Sequence, residues 1–70
     1  MKNYILKLDG LNLYLSSKQS LAGVNYTKSI KSAMKFDSKT DSPEVKKGIW
    51  DSAANLQHNN SDMVFNVEFL

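Results

Sequence analysis

Cysteine is absent from this chain, which excludes a disulfide framework, thiolate metal ligands and a cysteine nucleophile and permits a reducing compartment. Arginine is absent as well, and all nine basic residues are lysine. Sequence-specific readout of DNA therefore loses its main instrument, because lysine offers a mobile point charge where arginine offers a bidentate fork. Histidine occurs once, at His58, tryptophan once, at Trp50, and proline once, at Pro43. The glycines, Gly10, Gly23 and Gly48, are isolated, so no glycine-rich loop cradles a phosphate. Apolar runs last only a few residues, against the ~20 needed to cross a bilayer. Met1-Lys2-Asn3 leads directly into a strand pattern containing Lys7 and Asp9, unlike a signal peptide. The expectation is a soluble, cytoplasmic protein with no membrane partner.

What remains is short and mildly basic: 70 residues with a net charge of +2. That length makes one domain, residues 1–70, which buries only about 60% of its unfolded surface. Its clearest local signal is Tyr4 to Leu15. Asp9-Gly10 is a dipeptide favoured by a two-residue type I′ hairpin turn. A turn placed there pairs Leu8 with Leu11, Leu6 with Leu13 and Tyr4 with Leu15 on one apolar face. The other face then sets Lys7 opposite Asn12 and Ile5 opposite Tyr14.

A polar connection from Ser16 to Gly23 follows, and Val24-Asn25-Tyr26 alternates as a possible short third strand. Thr27 is placed to cap a first, shorter helix carrying Ile30, Ala33 and Met34 at helical spacing and ending near Phe36. Asp41 and Glu44 match a capping box, with Pro43 suited to a first turn. Val45, Ile49, Ala53 and Leu56 form the apolar stripe of the resulting longer helix, with Trp50 on its shoulder. Gly48 marks a close approach to the sheet, and Gln57 to Ser61 ends the helix. Met63 to Phe69 alternates as a final strand that pairs with the first. The fold class is α+β: a small antiparallel or mixed sheet, built from the hairpin, the C-terminal strand and the short third strand, packed against one longer and one shorter helix.

Chemistry is sparse. His58 has no metal-ligand or base partner near it in sequence, and a place near the negative end of a helix dipole explains it. Asp9, Asp37, Asp41, Glu44 and Asp62 fall on turns, loops and caps, no motif pairs carboxylates for acid–base work, and the serines lack a nucleophile-elbow context. The expectation is no enzyme, no cofactor and no metal. Two surfaces stand out. Lys28, Lys31, Lys35 and Lys39 recur at three, four and four residues, an electrostatic strip if one helix carries them. Ile5 and Tyr14, beside Lys7 and Asn12, form an uncovered hairpin face unless the first helix covers it. Trp50 joins them as a candidate interaction anchor.

The order of strand, Asp9-Gly10 turn and a strand ending at Tyr14-Leu15, followed by Thr27 and Ala33-Met34-Lys35-Phe36-Asp37-Ser38, resembles the short accessory proteins of phages and mobile elements. The resemblance spans about half the chain and carries over no functional residue. It implies a protein that binds and blocks a larger host or defence protein, anti-CRISPR proteins being one example. Such inhibitors are often acidic DNA mimics, and this basic chain does not fit that mode. The leading expectation is a non-enzymatic protein-binding module. The alternative is a weak, mostly non-specific nucleic-acid binder using the lysine strip. A homodimer through an open sheet edge is a third.

Overall fold

The computed structural model describes residues 2–21 and 23–70; Met1 and Ala22, the latter within the polar connection, lie outside them. Strand β1 (Asn3–Leu8) is the axis of the sheet. It pairs with β5 (Phe65–Phe69) from Tyr4 opposite Phe69 to Leu8 opposite Phe65. Tyr4 also pairs with Phe36 in β4 (Phe36–Asp37), and Lys7 with Tyr14 in β2 (Tyr14–Leu15). A residue paired twice must use both its edges, so β5 holds one edge of β1 while β2 and β4 share the other. β3 (Tyr26–Thr27) adds outside β2, and every pairing is antiparallel. Helix α1 (Pro43–His58) packs on this five-stranded sheet. The architecture is α+β.

Period-2 alternation decides what faces the helix. Tyr4, Leu6 and Leu8 share a buried cluster with Leu15, Val24, Phe36, Ala54 and Phe65. Tyr4 stacks on Phe36 at 5.1 Å and meets Phe69 edge-on at 5.9 Å. Its hydroxyl donates to the Asp41 carbonyl at 2.7 Å, which satisfies the one polar atom this ring brings into the core. Burial, and secondarily the nearby Asp41 charge, push the Tyr4 phenol above its ordinary pKa.

The hairpin forms, but with a different turn. Gly10 has a φ of +80° and Asp9 stays at negative φ, so one left-handed residue is used where a type I′ turn needs two. The Leu11 N–H donates to the Leu8 carbonyl at 3.2 Å, and the Leu8 N–H to the Leu13 carbonyl at 2.8 Å. The loop is thereby two residues longer, and Lys7 faces Tyr14 in place of Asn12. A slide of two residues leaves every side chain on its original face. The leucine face survives, except that Leu11 is spun into the loop and is half exposed.

The first helix does not form. Between β3 and β4 the chain makes a single 3₁₀ turn at Ile30–Ser32, and Ala33 is already extended. Pairing outcompetes propensity here: Ser16 bridges Ala33, and the Met34 N–H reaches the Leu15 carbonyl at 2.8 Å. Thr27 lies in β3, where its hydroxyl accepts from the Ser29 N–H at 3.1 Å. The second helix begins one residue later than the capping box places it. Ser42 is the N-cap, without a side-chain bond, and Pro43 opens the first turn. Asp41 instead pairs with Lys46 at 3.5 Å. The far end closes on Asn59 at a φ of 50°, with the Asn60 N–H returning to the Asn55 carbonyl at 3.2 Å. That six-to-one bond is the Schellman arrangement.

Candidate interaction surface

Three polar ties fix the rotation of α1 about its own axis. The Asp51 carboxylate accepts the Phe65 N–H at 2.6 Å and is also held by Lys47 at 2.5 Å. The Gln57 amide grips the backbone of Val24 from both sides, accepting its N–H and donating to its carbonyl at 3.1 Å. His58 Nε2 meets the Tyr26 hydroxyl at 3.0 Å, and the two rings lie 5.8 Å apart. Burial raises the Tyr26 pKa. With these residues directed at β5 and at the β3 side of the sheet, Ala54 becomes the one fully buried helical residue, flanked by half-buried Trp50 and Ala53.

Of the expected apolar stripe of α1, Ala53 packs against the core and the other three positions face away from it. Val45 is 58% exposed, Ile49 52% and Leu56 85%. Gly48 makes no close approach to the sheet either: a Cβ there meets nothing within 4 Å. Val45, Ile49, Ser52 and Leu56 follow one another at four, three and four residues. That is the seam spacing by which one helix packs against another. Beside Leu56 the face runs into a groove of about 600 Å³ between α1 and residues 19–21, 23 and 24, lined by Leu21, Val24, Trp50, Ala53, Leu56 and Gln57. Leu21 itself is fully exposed.

Glycine is required at one place on this wall. Gly23 has a φ of +149°, and a Cβ there would fall 2.2 Å from the Gln57 amide oxygen. The absent side chain is what lets Gln57 clasp the adjacent Val24 backbone.

The sequence-derived candidates are distributed differently. Ile5 is fully buried, which withdraws it from any partner contact. Ile5 pairs with Glu68 of β5, and Ser16 and Ala33, which bridge each other, are buried too. Lys7 and Tyr14 are half-buried on that face, with Lys7 3.9 Å from Glu68, and Asn12 stands apart in the exposed loop. The proposed apolar patch thus has no apolar centre. Trp50 alone of that group lines the groove.

The lysine strip is dispersed, because the helix meant to carry it is replaced by the 3₁₀ turn and β4. Lys28, Lys31, Lys35 and Lys39 are exposed, yet Lys35 bends back to donate to the carbonyls of Ile30 at 3.1 Å and Lys31 at 3.2 Å. It caps the short turn that its own segment forms. Among the described residues no three His, Cys, Asp or Glu side chains are grouped to hold a metal ion, and no helix is long and apolar enough to cross a membrane.

The Asp51, Gln57 and Tyr26–His58 ties have no signature in the sequence. Each joins residues 14 to 33 positions apart, and no local spacing announces such a bond. Compared with family models, curated proteins and solved structures, the chain matches none of them.

Proposed function

We propose that this chain is a protein-binding module that offers the outer face of α1 to an amphipathic helix of a larger protein, in the manner of a small phage- or mobile-element-type modulator. The observation that carries the reading is the seam of Val45, Ile49 and Leu56, left more than half exposed while the rest of the helix is tied to the sheet. Burying a side chain of this kind stabilises a complex by about 1.5–3 kcal/mol. A groove ending on Leu21 and Trp50 gives the incoming helix a wall. No charged residue interrupts the seam positions, so recognition here is apolar and resistant to salt.

The test is a photo-crosslinking residue at Ser52, used in the source cell, followed by mapping of the joined segment. A helical segment of another protein, lost in Ile49→Asp and Leu56→Asp but retained in Lys28→Glu/Lys31→Glu, supports the proposal. Crosslinks indifferent to the two aspartates, or binding only to nucleic acid that falls steeply with salt, overturn it.

A further inference from the structure

The register of β5 determines which of its backbone groups are spoken for. The ladder to β1 is bracketed by Asp9 N–H to the Val64 carbonyl at 2.9 Å and Leu70 N–H to the Asn3 carbonyl at 2.8 Å. In an antiparallel pair the bonding residues alternate. Asn66 and Glu68 therefore turn their backbone groups toward β1, and Phe65, Val67 and Phe69 turn theirs outward. The Phe65 N–H is taken by Asp51 at 2.6 Å. The Phe65 carbonyl and both groups of Val67 and Phe69 meet no partner among the described residues.

Edge strands of natural sheets are commonly blunted by shortness, lysine, proline or a bulge. The opposite edge, β3, is two residues long and runs into Lys28. β5 is five residues long, Phe-Asn-Val-Glu-Phe, with neither lysine nor proline, and Phe69 is half exposed at its end.

We propose that this edge pairs with β5 of a second copy of the chain, antiparallel about a two-fold axis through Val67. Three features favour this occupant and this register. The arrangement is isologous, so each open donor meets an equivalent acceptor. Val67 pairs with its own counterpart and Phe69 with the partner's Phe65, giving four hydrogen bonds that use only the groups left free. On the other face Asn66, one amide N–H of which donates to Asp9 Oδ1 at 2.9 Å, lies opposite the partner's Glu68, a neutral residue against a carboxylate. Sliding the register one way sets Glu68 against Glu68, a like-charge contact. Sliding it the other way draws the occupied Phe65 N–H into the centre of the ladder. Asp51 thus acts as a stop that selects one register. This contact is separate from the α1 surface and stands or falls independently of it.

Sedimentation of the full chain across a concentration series tests the proposal. The mass is expected to rise from 7.9 kDa toward twice that value, with Val67→Pro holding it at the monomer. Proline at 67 deletes only an outward N–H, so the β1–β5 ladder keeps its bonds. If Val67→Pro fails to fold by circular dichroism, the exposed Asn66 decides. Asn66→Lys, facing the partner's Glu68, is expected to tighten association and Asn66→Glu to weaken it, each by about tenfold over two symmetric contacts. A monomer at every concentration overturns the proposal. So does a dimer indifferent to the charge at 66, or one abolished by Leu56→Asp, which would place the contact on α1.

Discussion

Strand β1 and helix α1 are attached to the molecule by different physics. β1 is bonded on both edges and buried on both faces: Tyr4, Ile5 and Leu6 have no exposed surface. α1 is more than twice as long, yet it sinks one residue, Ala54, fully into the core and relies on side-chain ties at Asp51, Gln57 and His58. The strand is held by burial on both faces and a backbone ladder on both edges, so that no single contact dominates. The helix is held by a few directional bonds, and that leaves its apolar seam free. An element can be fastened firmly and still present hydrophobic surface, provided polar atoms set its orientation.

This contrast is sharpest under mutation of the strand. Leu6→Ala removes a fully buried side chain and is expected to cost about 2–5 kcal/mol. For a chain of this size that is most of the net stability, and the loss is read as a fall in the urea midpoint or an absent transition. Asp51→Ala attacks the helix instead. It orphans the half-buried Phe65 N–H and frees Lys47, at about 1–3 kcal/mol. Hydrogen exchange should show α1 amides losing protection before those of β1. If both elements lose protection together, the distinction between burial and ties is wrong.

A pH scan probes the one polar atom at the centre of the strand. The Tyr4 phenol titrates higher folded than unfolded, so the folded state holds the proton more tightly. Its contribution is complete below the unfolded value, about pH 10, and is lost as pH climbs past it. Tyr26 shares the direction. Tyr4→Phe should lower neutral-pH stability by about 1 kcal/mol through the lost bond to the Asp41 carbonyl and flatten the alkaline slope in denaturation curves. An unchanged slope would assign the titration to Tyr26. The smallest effect belongs to the seam. Leu56→Ser should shift stability by no more than about 0.5 kcal/mol, measured by thermal melting. A large loss would mean that the seam is core after all.

Much of the framework was legible beforehand. Alternation in Tyr4–Leu8 and Met63–Phe69 announces the two long strands, the second of which forms only from Phe65 onward, and Pro43 with the apolar periodicity announces the helix. Where the fold departs from the local pattern, the cause is local. Asp-Gly serves both one- and two-left-handed-residue turns, so Asp9-Gly10 located the bend and misplaced the register by two. Ile30, Ala33 and Met34 carry helical spacing, but the free edge of β1 beside Tyr4 needed a strand, and Phe36 supplied it. On α1 only Ala53 of the stripe meets the core while Val45, Ile49 and Leu56 face away, because periodicity marks an apolar face without saying what lies against it.

By itself, then, the sequence determined the elements with strong internal period, the α+β class and the absence of cysteine and arginine chemistry, all of which follow from residue type and short-range spacing. Tertiary structure decided the register of the hairpin, the burial of Ile5, the dispersal of the lysines and the outward turn of Val45, Ile49 and Leu56. Those depend on bonds between residues far apart in the chain, such as Asp51 to Phe65 and Gln57 to Val24. Such bonds exist only once the sheet has brought both ends together.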